Sequence, residues 1–482
     1  MIETLLRRIS ACSCYLAGVF SATRNVQALA FVVLTLPLLL SVIIPPFGGK
    51  DEHLHWYRVH QIASGSLLSS NLSENQFGGE IDRHAWDFFH WVFTRIEKKQ
   101  PIPPEEAFVT AETWGSLPKE YVTISFSPTA TYSPLAYIPQ AVALAVAKLF
   151  TGNYIYQMIA MRYLNSLVYL VSILAIASVF PFANRFFLAI AFVPSAVFNS
   201  ASLSADPMNI TIPALLLALC MRWRTQPDTP LDSRERWLCI GLCAALGLLK
   251  PFAILFAAVA LLIPRTRFAS RRDHLQFLTL CFGVAFVVAW GWALRHPLVP
   301  GVFWQTGADP IATLQDIRAD PLGALGVLWS NISRFYGLWW WDSYAAFGGH
   351  PDPYSLITPV DLSSAAFFFC LALAIVDGPR RIDFWQAAVL AGTAVAYFLL
   401  VLIAFMVGFA KPGSLDITGI QGRYFYLPVI MVGIALGSVL PIRAWFEKVA
   451  NTISIAICWY LAFSFSLILT IVILYLHKVW PI

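Results

Sequence analysis

The feature that most constrains this chain is a repeated succession of apolar runs, many of them as long as a membrane crossing. Of its 482 residues, 58% are hydrophobic and 12% are charged, whereas soluble domains carry roughly 25% charged residues. The mean hydropathy is +0.67. A helix needs about 20 apolar residues to cross the hydrocarbon core of a bilayer. The sequence therefore predicts an all-α integral membrane protein whose partner is the lipid bilayer.

These runs predict about eleven transmembrane helices in a single polytopic domain over residues 1–482. The predicted spans lie near 28–45, 159–180, 186–203, 208–222, 237–249, 251–264, 276–296, 362–376, 385–408, 424–442 and 453–476. The apolar segment 134–150 is assigned to a juxtamembrane helix on the outer surface, because counting it as a span would invert every later loop. No small-residue cleavage site follows the first run, so it is expected to stay as a membrane helix.

The distribution of charge orients the predicted helices, since cytoplasmic loops are enriched in Lys and Arg. The segments assigned to that side hold 16 Lys/Arg and 8 Asp/Glu, and they are 1–27, 181–185, 221–236, 265–275, 377–384 and 443–450. The rest of the chain holds 16 Lys/Arg and 19 Asp/Glu. The N-terminus is expected in the cytoplasm and the C-terminus outside. Two large extracytoplasmic loops follow from this threading, 46–157 with juxtamembrane helices and 297–361. Long loops on a rigid scaffold often carry function.

Several classes of protein are disfavoured. The net charge of +5 comes from scattered basic residues, so nucleic acid is not expected as a partner. Phosphate-binding loops of nucleotide enzymes are absent from the sequence. All eight cysteines lie in apolar runs or beside cytoplasmic segments, and the sequence has no CxxC pair. We therefore expect no disulfides.

The start of the first outer loop carries an acidic pair followed by basic residues. Asp51 and Glu52 suit the first turn of a helix, where the helix dipole favours anions. On that helix Asp51, His55 and Arg58 share one face. Two interpretations are open: an interfacial helix with its polar face in water, or a site that uses an acid, an imidazole and a guanidinium. Asp51, Glu52, His53 and His55 could also hold a divalent metal ion.

Two further ionisable residues lie beside apolar spans. Asp206 precedes a proline in a short outward turn, and this is either an ordinary turn former or an acid facing a polar cavity. Lys250 lies between two apolar runs that are too short to cross a bilayer singly. These runs predict a hairpin entering from the cytoplasm, with Lys250 below the outer surface. Snorkelling of its side chain and binding of an anion are the two alternatives.

The last candidates combine a cation with aromatic side chains. Arg423 and Tyr424 stand at the outer edge of the span 424–442, where the arginine could bind a lipid headgroup or a substrate phosphate. In the second outer loop, Trp341 and Asp342 could stack on a sugar and bond its hydroxyls, or belong to an aromatic belt. We expect Lys250 and Arg423 to converge on one lipid-phosphate site near Asp51.

The ordered set of motifs resembles a bacterial family of multi-pass proteins, domain of unknown function 2142. The matching motifs are Asp51-Glu52-x-x-His55-x-x-Arg58, Tyr132-Ser133-Pro134-Leu135-Ala136-Tyr137-Ile138-Pro139-Gln140, Ala205-Asp206-Pro207, Leu249-Lys250-Pro251 and Gln421-Gly422-Arg423-Tyr424. That family resembles the C-type glycosyltransferases, which take a sugar from a polyprenyl phosphate outside the membrane. The resemblance implies a protein of the bacterial inner membrane with a C-type glycosyltransferase-like fold.

The resemblance also implies a function. Asp51 would be the catalytic base, with Glu52 and Asp206 as further candidates, while His55, Arg58, Lys250, Arg423, Tyr424, Trp341 and Asp342 would bind substrates. The expected donor is a polyprenyl-phosphate-linked sugar, and the acceptor a cell-envelope glycan or lipid-linked molecule, with inversion at the sugar. The alternative is a lipid-linked saccharide transporter or a non-catalytic subunit of envelope-polysaccharide assembly.

Overall fold

A computed structural model of the chain describes residues 35–73, 76–98, 100–295, 307–345, 370–375, 382–417 and 419–439. The predicted spans 28–45, 362–376 and 424–442 are covered only in part, and 453–476 lies outside the described residues.

The described chain is mostly helical, as the apolar runs predict. Its α-helices, in chain order, are α1 (35–43), α2 (Glu52–Ala63), α3 (Arg83–Glu97), α4 (Pro104–Gly115), α5 (Ser127–Ala130), α6 (Ile138–Ala147), α7 (Tyr154–Val179), α8 (Asn184–Ala191), α9 (Pro194–Ser200), α10 (Asp206–Arg224), α11 (Ser233–Gly247), α12 (Arg271–Ala293), α13 (Pro310–Ala319), α14 (Pro321–Ala345), α15 (370–375), α16 (Phe384–Gly408) and α17 (Tyr426–Val439). Short 3-10 segments cover Pro134–Tyr137, Pro251–Leu262, Arg265–Arg267 and Gly422–Phe425.

Three helices of the described residues are long and apolar enough to cross a membrane. They are α7, α12 and α16, with 26, 23 and 25 residues. Each coincides with a predicted span. Shorter apolar helical stretches cover Pro134–Ala147, Phe252–Leu262 and Gly422–Ser438. The first of these is the segment that we assigned to a juxtamembrane helix.

The predicted span 186–203 is two short helices instead of one. Helix α8 ends at Ala191, and α9 begins at Pro194 after an extended Val193 with φ −59° and ψ 144°. Proline has no backbone N–H and pushes the residue before it out of the helical conformation. An apolar run therefore does not ensure a continuous helix, and this one breaks within the larger hydrophobic core.

The first outer loop contains a small sheet that the expectation of an all-α chain missed. Strands β1 (Ser70–Ser73), β2 (Gln76–Asp82) and β3 (Tyr121–Ser125) pair antiparallel in the order β1-β2-β3. A Cβ on Gly78 would lie 1.9 Å from the carbonyl oxygen of Ile124, so the pairing of β2 with β3 needs glycine there. The strands are short and mostly polar, so the sequence shows no clear alternation of apolar and polar residues that would predict them.

The described residues form two hydrophobic cores that share one helix. The larger core gathers the long helices, and the smaller one gathers residues of the first outer loop. Met158 and Met161 of α7 belong to the smaller core, while Tyr169 and Ile173 farther along α7 belong to the larger one. Helix α7 therefore fixes the folded part of residues 46–157, the predicted first outer loop and hereafter the outer layer, on the apolar helical body.

Candidate functional site

Four charged side chains from four separate parts of the chain form one line of alternating charge. Arg423 donates a hydrogen bond from Nη2 to Oδ2 of Asp51 at 3.2 Å. Its Nη1 lies 3.1 Å from Oδ2 of Asp206, and Nζ of Lys250 donates to Oδ1 of the same carboxylate at 3.0 Å. Lys250 and Arg423 therefore converge, as we expected. The anion that joins them here is the carboxylate of Asp206.

Each of these residues stands at the end of an element. Asp51 precedes α2, Asp206 begins α10, Lys250 precedes the 3-10 segment Pro251–Leu262, and Arg423 lies in the 3-10 turn before α17. Ends of helices leave backbone groups for polar side chains and ligands to bind. The site therefore lies where the helical body meets the folded outer layer.

The guanidinium of Arg423 has N–H donors that make no hydrogen bond within the described residues. Its side chain is 8% exposed, and within the described residues its Nε and Nη1 donate no hydrogen bond. Nη1 of Arg423 is thus close enough to Oδ2 of Asp206 for an ion pair, but the angles between them do not form a hydrogen bond. Oδ2 of Asp206 likewise accepts none within those residues. Buried donors without acceptors are rare, and each calls for a physical explanation.

Aromatic rings enclose the cations. Nζ of Lys250 lies 4.2 Å from the ring centroid of Tyr424 and 6.0 Å from that of Tyr132. A cation over an aromatic face is attracted by the ring quadrupole. The rings thus stabilise the ammonium through their faces, and within the described residues its Nζ donates one hydrogen bond, to Asp206, so it keeps donors for an anion.

The turn that carries Asp206 is held by three buried side chains. Oε1 of Glu52 accepts from the backbone N–H of Leu203 at 2.8 Å, and Gln140 donates to the carbonyl of Ser204 at 2.8 Å. Asn165 donates to the carbonyl of Ser202 at 3.1 Å and accepts from Gln140 at 2.9 Å. These bonds fix where the Asp206 carboxylate points.

Glu52 has a different role from its neighbour Asp51. Its carboxylate is fully buried and forms an ion pair with Arg162, with Nε–Oε1 and Nη2–Oε2 distances of 2.7 and 2.6 Å. Arg162 also donates to the carbonyl of Pro45, and the N–H of Gly49 donates to Oε2 of Glu52 at 2.9 Å. A carboxylate bonded on both oxygens inside the protein is a structural anchor for this corner.

Asp51 is the exposed end of the charged line. Its side chain is 32% exposed, and its backbone adopts the left-handed conformation with φ 56°. A non-glycine residue in that region is uncommon and marks strain, often at functional sites. Burial acts to raise the pKa of Asp51, but the positive groups around it, with the Arg423 guanidinium foremost, together outweigh burial and hold the pKa below its ordinary value. Asp51 is therefore a carboxylate at neutral pH.

His55 lies one turn along α2 from Asp51. Its Nδ1 is 2.8 Å from the hydroxyl of Tyr137, and its side chain is almost fully buried. Burial lowers the pKa of His55 to about 4, although the nearby Asp51 carboxylate opposes the shift. The imidazole is neutral at pH 7 and can exchange a hydrogen bond with a hydroxyl.

Arg58 does not join the charged line, although it shares a helix with Asp51. It is fully buried, donating to Gln61, to Ser69 and to the carbonyl oxygens of Leu67 and Tyr132. Helix α2 as a whole is buried and does not lie with a polar face in water. Arg58 therefore ties α2 to the neighbouring loops, and its contact with Tyr132 links it indirectly to the site.

The remaining predictions for this place concern two residues of the predicted second outer loop and a metal set. Trp341 and Asp342 lie in α14, and their side chains are outside the described residues. Among described residues, one group of three or more metal-ligand side chains comes close together, and it consists of cysteines. The set of Asp51, Glu52 and the two histidines is not such a group, because each acid is held by its own arginine.

Sequence reasoning missed three contributors to this corner of the molecule. Tyr137 and Tyr132 belong to one of the motifs that carry the family resemblance, but no local pattern places them beside His55 and Lys250. Arg162 had a usable signal: an arginine inside an apolar run needs a buried partner. Its partner Glu52 lies 110 residues away, which no local pattern reveals.

Comparison with known proteins gives one match. A family model described as a predicted membrane protein (DUF2142) matches residues 34–432. Neither the search of curated proteins nor the search of solved structures found a match. The matched range includes all four residues of the charged line.

Proposed function

This chain belongs to the family of predicted membrane proteins described as DUF2142, and from that premise we propose that it is a glycosyltransferase of the bacterial inner membrane. The proposed donor is a polyprenyl-phosphate-linked sugar, and the acceptor is a hydroxyl of a cell-envelope glycan or lipid-linked molecule. The finer topology belongs to this proposal: about eleven spans, a cytoplasmic N-terminus, an extracytoplasmic C-terminus and a C-type glycosyltransferase-like fold. The charged line would then face the extracytoplasmic side.

The observation that carries the proposal is the pair of unused donors on the buried Arg423 next to Lys250. A planar guanidinium with free N–H groups suits two parallel hydrogen bonds to phosphate oxygens, and an ammonium adds a point charge. Asp206 holds both cations in place by its two oxygens. The phosphate of the donor would bind between the cations, and they would stabilise the charge that develops on it as it leaves.

Binding of the phosphate would also release Asp51. The link between Asp51 and Arg423 is the exposed end of the line, whereas the Asp206 links are buried. A phosphate on Arg423 would compete with Asp51 for Nη2. Loss of that contact removes the main cause of the lowered pKa, so Asp51 would become a stronger base when the donor is bound. Donor would therefore bind before transfer begins.

The transfer step conserves atoms and charge. The acceptor oxygen attacks the anomeric carbon from the face opposite the phosphate, and its proton passes to Asp51. The bond between that carbon and the phosphate oxygen breaks with its electron pair going to the phosphate. The products are a glycosylated acceptor of inverted configuration and a free polyprenyl phosphate, whose charge Lys250 and Arg423 would balance.

The decisive test is Asp51→Asn, assayed by transfer from a polyprenyl-phosphate sugar and by mass spectrometry of envelope glycans. We expect transfer to fall by about 10²–10⁴-fold, the usual cost of removing a general base. Binding of polyprenyl phosphate should be unchanged or tighter, because the competing carboxylate is gone. Glu105→Gln is the matched control, since Glu105 is an exposed acid in the first turn of the outer-layer helix α4.

Full activity of Asp51→Asn would remove Asp51 from catalysis. The alternative function, a lipid-linked saccharide transporter or assembly subunit, predicts a different result. In that case the purified protein would bind polyprenyl phosphate but transfer no sugar, and Asp51→Asn would leave the envelope glycans intact.

A further inference from the structure

Three of the five described cysteines gather at one place, two from one helix and one from the next. Cys239, Cys243 and Cys281 bring their sulfur atoms within 4.8 Å of each other, and all three are buried. Cys220 of α10 is buried in the same apolar core. Cysteine is scarce in this chain, with eight in 482 residues. Random packing of small apolar side chains gives no reason for the scarce thiols to meet.

The register of two helices brings the sulfurs together. On α11, Gly247 follows Cys243 by one turn, and on α12, Ala285 follows Cys281 by one turn. A Cβ on Gly247 would lie 2.7 Å from the carbonyl oxygen of Ala285. The two helices therefore approach closely in the same direction, and Cys243 faces Cys281 one turn earlier. Cys239 lies one further turn back, with its sulfur 4.0 Å from that of Cys281.

This spacing is that of sulfur atoms sharing one metal ion. Two sulfurs bound to the same ion at about 2.3 Å each lie about 3.8 Å apart. The group contains no oxygen or nitrogen ligand, and thiolates select soft ions such as Cu(I) and Zn(II). All members belong to the apolar core of the helical body, where net charge is costly.

We propose that Cys239, Cys243 and Cys281 form a three-sulfur site for a soft monovalent metal ion of the Cu(I) class. Structural Zn(II) sites are almost always four-coordinate, whereas three sulfurs here lie at ligand spacing. This site is separate from the charged line and independent of the proposed transfer.

The test uses the reduced full-length protein in detergent micelles without oxygen. Cu(I) is titrated against the coloured chelator bathocuproine disulfonate, with Zn(II) in a parallel arm. We expect the protein to withhold one equivalent of Cu(I) per chain and to unfold at a higher temperature when loaded, because the ion binds the native state. Loss of a residue that only hydrogen-bonds a metal ligand lowers metal affinity by about 10–100-fold. Cys281→Ala removes a ligand itself, so the affinity for Cu(I) should fall by at least as much.

Two control variants isolate the cluster from other thiols. Cys370→Ala changes a buried cysteine outside the group, and Cys12→Ala/Cys14→Ala removes the only C-x-C pair. Both should retain Cu(I) like the wild type. X-ray absorption of the loaded wild type should show three sulfur neighbours, a readout that does not depend on any variant folding. Equal retention by Cys281→Ala and the wild type, or retention of Zn(II) in place of Cu(I), would overturn the proposal.

Discussion

Asp51 and Glu52 are adjacent in sequence, but their carboxylates have opposite surroundings. The Asp51 side chain is about one-third exposed and has one charged partner at 3.2 Å. Glu52 is fully buried, and both of its oxygens accept from Arg162 and from backbone N–H groups. A base must reach its substrate, and an anchor must not move. The pair thus combines a candidate reactive group with the anchor that positions it.

Removing the partner of the buried anchor should destabilise the fold. Arg162→Met leaves Glu52 as an unpaired charge in the interior, which costs about 3–5 kcal/mol of the free energy of unfolding. The control is Arg334→Gln, because Arg334 and Asp416 form an ion pair with both side chains 56% exposed. Exposed pairs contribute about 0–1 kcal/mol. Unfolding in detergent micelles measures both, and equal losses would contradict the anchoring role.

His55 should make stability depend on pH in a defined window. Its folded pKa of about 4 is below its ordinary 6.5, so the unfolded chain takes up a proton first as the pH falls. Its contribution is complete above pH 6.5 and is lost as the pH falls toward 4. The loss is on the order of 3 kcal/mol. Asp51 titrates below this window, so it does not add to the effect.

The measurement is the unfolding temperature of the wild type and His55→Gln between pH 7 and pH 4.5. Other histidines titrate in both proteins, so the difference between the curves isolates His55. We expect the wild type to lose more stability than the variant on acidification. Parallel curves would show that His55 is not held in its neutral form.

At the scale of elements, the packing of α11 on α12 depends on a glycine within α11. A Cβ on Gly247 would lie 2.7 and 2.8 Å from backbone atoms of Ala285 and Ala289, whereas one on Gly241 would meet nothing within 4 Å. Both glycines lie in the same helix. They differ in what a Cβ atom would contact on the neighbouring helix.

Alanine at these two positions should have opposite effects. Gly241→Ala should raise the free energy of unfolding by up to about 1 kcal/mol through helix propensity. Gly247→Ala should lower it by about 1–3 kcal/mol, because the helices must separate. Thermal unfolding of the two variants beside the wild type tests this, and a stabilised Gly247→Ala would mean that the contact is loose.

At the scale of the whole molecule, the charged line lies where the two hydrophobic cores meet. Helix α7 runs through both cores, and its residue Arg162 binds Glu52 at the start of α2. The outer layer therefore cannot shift relative to the helical body without breaking the buried ion pair. A rigid connection of this kind suits a site whose charged groups come from both parts.

The proposed topology makes a labelling prediction. A cysteine at exposed Glu105 of the outer layer should react with a membrane-impermeant maleimide in intact cells, and a cysteine at exposed Asp228 should react only after lysis. The wild type serves as background, because it carries the eight native cysteines. Labelling of both positions in intact cells would overturn the threading and the placement of the site outside the membrane.

The sequence alone determined the class of fold and the members of the site. Apolar runs of helical length follow from the bilayer's thickness, so α7, α12 and α16 were predictable from local composition. The charged residues beside those runs were recognisable one by one, since an ionisable group near hydrocarbon needs a reason to be there. Lys250 and Arg423 were expected to meet on this ground.

Only the tertiary structure decided which charge pairs with which. From the sequence, Asp51 was the first candidate for the base, and Glu52 and Asp206 were further candidates. Packing exposes the first, buries the second against Arg162 and makes the third a bridge between two cations. The break at Pro194, the small sheet and the meeting of the cysteines were likewise outside the local patterns. Ion pairs and metal ligands depend on distances between segments that are far apart in the chain, and local patterns do not contain those distances.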